Sequence, residues 1–167
     1  MYAFKGHATN HYTVCYLFDG NLENVLLATK DRTDFKGLKN GVGGKIEPHE
    51  NSYASALREI YEETGLATDD LAALGGARLA WTGSLFLPED CLEHDGRVCA
   101  LHFYAGMVRP GSMDQIRPER PTQPLSWEPV KSILAAGIED GAEKYAGHGD
   151  LQYMVGQGIA AMRPYLG

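Results

Sequence analysis

Between Gly44 and Leu66 the chain reads GKIEPHENSYASALREIYEETGL, and the spacing inside that run constrains the fold more than any other feature. Five residues separate Gly44 from Glu50, and seven separate Glu50 from the triplet Arg58-Glu59-Ile60. Glu62-Glu63 and then Gly65-Leu66 follow, each after one further residue. From Ser52 to Thr64 there is neither Gly nor Pro, and Tyr53, Ala56, Leu57, Ile60 and Thr64 recur at helical spacing. Asn51 or Ser52 can cap the start, and Gly65 suits a left-handed stop. The pattern predicts a helix over 52–64 entered from a glycine-bearing loop.

At about 100° per residue, Glu59, Glu62 and Glu63 fall on one arc beside the apolar stripe. Like charges three and four residues apart destabilise a helix by a few tenths of a kcal/mol each. The three acids also crowd the C-terminal half, where the helix dipole disfavours anions, and no Lys or Arg in the last turn offsets them. A local rule broken in this way points to a functional site, with a divalent cation as the compensation. A solvated acidic face on an ordinary amphipathic helix is the alternative, and the flanking glycines and Arg58 argue against it. Hard oxygen ligands favour Mg²⁺ or Mn²⁺ over zinc. Such a cation can neutralise an anionic substrate and activate a water.

Arg58 stands one residue before the acids, where an unpaired cation would compete with the metal. A two-pronged bond to Glu50 would tie the loop to the helix and orient Glu59; a surface ion pair worth under about 1 kcal/mol is the plainer reading. The run Asn40-Gly41-Val42-Gly43-Gly44-Lys45 lets backbone approach phosphate closely, which makes Gly43, Gly44 and Lys45 candidate substrate contacts. It is neither a Walker loop nor a dinucleotide fingerprint.

Gly44 to Leu66 matches G-x5-E-x7-R-E-U-x-E-E-x-G-U, with U aliphatic, at every position. Seven specified residues, each at an abundance of roughly 6%, would meet a given start about once in a hundred million or less. The chain therefore resembles the Nudix hydrolases, which split a nucleoside diphosphate linked to another group. The resemblance implies an α/β/α sandwich around a mixed β-sheet. It also implies metal binding or water activation by Glu59, Glu62, Glu63 and the Gly44 carbonyl, with Glu62 the first choice of ligand and the identity of the base left open.

The remaining sequence is consistent with one domain over residues 1–167, of a size that builds its own core. No twenty-residue apolar run and no charged-apolar-small leader occurs, so the expectation is a soluble, cytoplasmic protein without a membrane partner. Cys15, Cys91 and Cys99 do not form a disulfide framework or a zinc spacing. A net charge of −7 argues against binding polymeric nucleic acid and fits a small anionic nucleotide arriving with its cation. His11–Phe18 and Asn24–Thr29 read as a hairpin turned at Asp19-Gly20-Asn21. A short strand is expected near Val42–Ile46, two long ones at Ala77–Leu87 and Val98–Val108 with a loop from Pro88 to Gly96 between them, and another short one at Leu125–Trp127. Helices are expected at Val130–Ala136, started by Pro129, and at Asp150–Met162. Arg109–Pro124 is a long connection, either a lid or a surface loop.

Markers of several Nudix subgroups are missing. Ala80-Trp81 stands where ADP-ribose hydrolases resemble one another in a proline, and Thr82-Gly83-Ser84 where dinucleoside polyphosphate hydrolases tend to carry a tyrosine. The proline-rich array of the NADH type is absent too. Asn40–Glu47, NGVGGKIE, resembles the corresponding stretch of the MutT-like 8-oxo-dGTP hydrolases. That resemblance makes Asn40 a purine contact, its amide offering donor and acceptor together; a turn residue before glycine is the alternative. His148-Gly149-Asp150 is weakly similar to their base-clamping segment, so that Asp150 would read the base and His148 would stack on it. A plain N-cap is the alternative for Asp150. Trp127 matches a usual family Trp and suits either core packing or substrate stacking. Two positions depart from the relatives: Lys39 stands where Trp is frequent, and Ser126 where the bacterial type has an acid. The leading expectation is hydrolysis of a nucleoside triphosphate, oxidised purines included. A nucleotide sugar or capped RNA end is the alternative substrate, and a non-catalytic Nudix-fold binding module the alternative class.

Overall fold

The strand β1 (Asn10–Phe18) lies at the centre of a mixed sheet, and its burial pattern explains the architecture. Cys15 and Leu17 point to one face and Tyr16 and Phe18 to the other, yet none of the four is more than 1% exposed. A strand buried on both faces requires a cover on each. In this computed structural model, which describes residues 10–31, 35–88, 98–147 and 149–167, helices supply both covers.

β1 turns at Asp19, whose carboxylate accepts from Glu23 N at 2.9 Å and Asn24 Nδ2 at 2.7 Å, into antiparallel β2 (Asn24–Thr29). β3 (Lys39–Asn40) pairs with β2. After α1 (Ser52–Thr64), β4 (Ala80–Pro88) and β5 (Val98–Met107) form an antiparallel pair, and β5 runs parallel to β1 from Asn10↔Cys99 to Phe18↔Met107. β6 (Leu125–Pro129) joins β2 antiparallel, and α2 (Val130–Ala135), α3 (Ile138–Ala142) and α4 (Asp150–Met162) complete the described chain. The sheet order is β3-β2-β1-β5-β4, with β6 also on β2.

Two cores result. Ala56 and Ile60 of α1 meet Cys15, Leu17, Leu26, Val42 and Tyr104 on one side of the sheet. Ile133 of α2 and Leu151, Met154 and Val155 of α4 meet Tyr16, Phe18, Leu27 and Phe103 on the other. Each large side chain so buried contributes about 1.5–3 kcal/mol. The expected α/β/α sandwich with a mixed sheet is the observed fold.

Two expectations are corrected, and one element was missed. The strand near Val42–Ile46 is instead β3 at Lys39–Asn40, and only single bridges, Cys15–Val42 and Tyr12–Lys45, tie the following loop to β1. Its glycines break the ladder: Gly43, at φ 155°, holds a backbone shape in which a Cβ would stand 2.0 Å from the Thr13 carbonyl oxygen. The strand foreseen from Ala77 starts at Ala80, because Leu74 and Ala77 close a turn on each other. The short helix α3 was not foreseen at all. Of the loop expected between the long strands, residues 89–96 lie outside the described residues. Among the described residues no helix is long and apolar enough to cross a membrane.

Candidate active site

Asn51 caps α1, its Oδ1 accepting from Ala54 N at 2.8 Å, and left-handed Gly65 ends it. With Ala56 and Ile60 turned to the core, the acidic arc faces the loop of residues 43–50. Arg58 is the first organiser of that arc. Its Nη2 donates to Glu50 Oε1 at 2.7 Å and its Nε to Oε2 at 3.1 Å, which is the expected two-pronged bond. Nη1 donates to Glu59 Oε1 at 2.8 Å and to Glu62 Oε2 at 2.9 Å, and Nη2 reaches the Lys45 carbonyl at 3.0 Å. Arg58 holds the Glu50 carboxyl down at about 2, and its own charge is secured further by the same acids. Burial pushes Glu59 up, Arg58 opposes this, and the neighbouring Glu63 and Glu62 add to the rise.

Glu63 lives in a different setting. It is buried, and Oε2 accepts from Gly43 N at 2.7 Å while Oε1 accepts from Gln123 Nε2 at 2.9 Å. Lys30 Nζ stands 3.8 Å from Oε1. The connection after β5 supplies Gln123 by docking on the end of α1: Arg117 N donates to Thr64 O at 2.9 Å and Glu119 N to Glu63 O at 3.3 Å. Glu59 meanwhile packs on Gly44 so closely that a Cβ there would stand 2.5 Å from its Oε1. The Gly43–Gly44 peptide is thus flanked by two of the three acids. The Gly44 carbonyl accepts from Thr13 N at 2.9 Å, leaving one lone pair for another partner.

On the opposite face of β1 lies a cleft of about 210 Å³. Its apolar lining includes Val14, Leu101 and Phe103, and its polar lining includes Tyr16, Lys30, Asn40 and Asp150. Lys39 N donates to Lys144 O at 2.7 Å and Ala146 N to Lys39 O at 3.0 Å, so the segment leading to Asp150 is laid beside Asn40. Gly149 occupies the N-cap position of α4, which leaves Asp150 in the first turn, exposed and lining the cleft rather than capping. Asn40 departs from the expected dual role. Its Oδ1 accepts from both Gly41 N at 2.8 Å and Tyr16 Oη at 3.2 Å, so the amide has only its Nδ2 donors left to offer.

The structure brings Gly43, Gly44 and Asn40 to this cleft with Asp150, and Gly43 and Gly44 also touch the acids. Two candidates lie elsewhere. Trp127 sits opposite Leu26 and packs on the core beneath α1, away from the cleft. Lys45 is exposed and lines a separate hollow with His11 and His102. His148, the proposed stacking residue, lies outside the described residues. Lys39 pairs with Glu128, which also accepts from Ser126 Oγ at 2.8 Å, so the departures at Lys39 and Ser126 are two parts of one ion-pair cluster. Lys30, Tyr16 and Gln123 were not read from the sequence. Lys30 follows β2 without any marking motif, Tyr16 looks like a core aromatic, and Gln123 is 60 residues from the acid it touches.

Whether these residues suit a divalent cation can be judged from their charges. Glu50, Glu59, Glu62 and Glu63 contribute four negative charges, against which Arg58 and Lys30 set two positive ones. The surplus equals the charge of Mg²⁺, and carboxylate with peptide oxygen is the donor set that ion takes. Among the described residues no three His, Cys, Asp or Glu side chains form a ready cage. Mg²⁺ does not require one, because it binds through one or two carboxylates and completes its shell with water and phosphate oxygens.

Comparison with known proteins places the chain in a family. An oxidized purine nucleoside triphosphate hydrolase of Danio rerio is 33% identical over 95 residues, which cover 57% of this chain and 56% of that one. The chain thus spans just over half the length of that relative. Among solved structures, the NUDIX domain of Shewanella oneidensis NrtR, complexed with ADP ribose, superposes with a TM-score of 0.64 at 15% identity, covering 94% of this chain and 92% of that one. The MutT NUDIX hydrolase of Burkholderia pseudomallei gives 0.56 at 21% identity, over 73% and 84%. At such identities the two structures speak for the fold alone. The family profile described as NUDIX domain matches residues 9–146, most of the chain. The chain belongs to the Nudix family.

Proposed function

We propose that this protein hydrolyses a nucleoside triphosphate, with an oxidised purine as the preferred base, to the monophosphate and pyrophosphate. The observation that carries the reading is the shared wall at Gly43 and Gly44. One side of it lines a mostly apolar cleft, and the other touches Glu59 and Glu63. A base in the cleft would therefore leave its phosphates beside the acids.

Asn40 donates through Nδ2 and Asp150 accepts, so a base offering an acceptor and a donor on one edge meets both. Lys30 borders the cleft and stands near Glu63, placed to meet phosphate oxygens between base and acids. Glu59, Glu62 and Glu63, with the Gly44 carbonyl alongside, would hold Mg²⁺ or Mn²⁺; bound there, it neutralises phosphate charge and lowers the pKa of water. Arg58 and Glu50 keep the loop on the helix, so that Glu59 stays against Gly44. The name of the Danio rerio relative supports the same substrate class.

A screen of nucleotides with Mg²⁺, detecting pyrophosphate and orthophosphate separately, tests the reading. An 8-oxo-purine triphosphate turned over fastest with release of pyrophosphate is the expected result. Faster cleavage of a nucleotide sugar or a capped RNA end, or release of orthophosphate alone, would replace it.

A further inference from the structure

We infer that Gln123 is a positioning residue for the reaction, holding Glu63 against Gly43 through a neutral hydrogen bond that leaves the carboxylate charged. The inference rests on the reading of the α1 acids as the cation-binding face, and it adds a residue from outside that helix.

Gln123 is 6% exposed, and its amide is held at both ends. Nε2 donates to Glu63 Oε1 at 2.9 Å, and Oε1 accepts from Arg120 Nη2 at 2.6 Å. The orientation is forced, because a flipped amide would set oxygen against carboxylate and NH₂ against guanidinium. Arg120 is in turn paired with Asp31 at 3.4 Å, and Gln123 N donates to Arg120 O at 3.0 Å to close the turn that carries both. Thr29 N donates to Pro124 O at 2.9 Å, so the end of β2 fixes the same turn. The chain of contacts runs from Asp31 through Arg120 and Gln123 to Glu63, and from there to the Gly43 amide.

The chemistry of the link matters. A cation in the place of Gln123 would hold Glu63 equally well but would cancel the charge that a divalent ion needs. An apolar residue would leave Oε1 inside the protein with only Lys30, 3.8 Å away, to satisfy it. A neutral donor does the holding and preserves the charge. The connection over 109–124 is therefore a brace for the acidic face, at least at its Gln123 end.

The test reads the far end of the chain of contacts. Hydrogen exchange of the Gly43 amide is measured by NMR in metal-free protein, with Glu63→Ala setting the released value and the Thr13 and Cys15 amides reporting the neighbouring strand. Gln123→Leu should speed Gly43 exchange about tenfold towards that value while Thr13 and Cys15 keep theirs. It should also lower kcat about 10- to 100-fold with KM nearly constant and weaken Mn²⁺ binding similarly, as loss of an outer partner of a metal ligand does. Gln123→Glu keeps an acceptor for Arg120 and sets a second carboxylate where the donor to Glu63 stood, so loss of the bond and like-charge repulsion should both release Gly43, and the variant guards against a folding defect in the leucine variant. Wild-type exchange at Gly43 in both variants overturns the inference, and so does a uniform rise at all three amides. A wild-type protein that cleaves no nucleotide sinks the proposed reaction, while the Gly43 amide still decides the role of Gln123.

Discussion

Arg58 and Gln123 hold the same acidic face by opposite means. Arg58 brings a full charge to three carboxylates at once, of which Glu62 is 47% exposed in its side chain. Gln123 brings a neutral amide to one carboxylate that is almost fully enclosed. The difference follows from solvent. Arg58 sets one charge against three carboxylates, so its clamp leaves most of their charge in place. In the interior a close ion pair would be hard to break; Lys30 stands off at 3.8 Å, and a dipole suits as the near partner of an acid that has to remain available. Glu62 and Glu63 are adjacent in sequence, and the helix turn alone assigns them to these two regimes.

The sharpest way to break the comparison is to remove the charges that both clamps serve. Glu62→Gln and Glu63→Gln should each lower kcat by about 100- to 10,000-fold while thermal melting stays close to wild type. Glu63→Gln can still accept from Gly43 N or Gln123, so its loss would be one of charge more than of packing. Steady-state hydrolysis alongside melting curves checks both variants. An unchanged rate in either would free that acid from the chemistry and leave its clamp a purely structural device.

The two clamps were unequally legible, for a physical reason. Every partner of Arg58 lies between Lys45 and Glu62, inside one run whose loop and helix could be laid out from spacing and capping alone. The bond to Glu50 could therefore be expected from residues eight apart. Gln123 meets Glu63 only because β5 returns parallel to β1 and the chain then doubles back over the end of α1. Nothing near Gln123 marks it off from Gln115 in the same connection. The cleft shows the same divide. Asn40 was visible in a glycine-rich run, but its restriction to donating depends on Tyr16, which contributes from the neighbouring β1. The long helices α1 and α4 matched their expected bounds because periodicity extends over them, whereas β3 and the start of β4 were set by single turns.

Gly43 and Gly44 separate holding the fold from placing the acids. A Cβ on Gly43 would strike the Thr13 backbone at a φ of 155°, and neither partner can move cheaply. Gly43→Ala should cost about 2–4 kcal/mol of stability. At Gly44 the obstacle is the end of the Glu59 side chain, 2.5 Å from the built Cβ, and that side chain can swing aside. Gly44→Ala should keep stability to within about 1 kcal/mol while kcat drops about 100-fold through the displaced carboxylate. Urea unfolding and kinetics on the two variants would show whether the effects divide this way. If both variants lost only stability, contact with Glu59 would have no functional weight.

The smallest effect concerns the outer clamp alone and shows itself in acid. Glu50 is held at about 2, below its ordinary 4.5, so the unfolded chain takes up this proton first as pH falls. The stability from its bond to Arg58 is therefore whole above about pH 5 and is lost progressively as pH drops towards 2. Glu59 runs the other way: burial raises it, the native chain binds its proton first, and that group favours folding more as pH falls past its raised value. Glu50→Gln removes only the first trend. The stability gap between wild type and this variant should be about 0.5–1 kcal/mol near neutrality, as for a partly exposed ion pair, and should close between pH 5 and pH 2. Urea midpoints across that range measure it. A gap that stayed constant down to pH 2 would mean that shape, not charge, is what Arg58 finds in Glu50, and the contrast with Gln123 would lose its electrostatic basis.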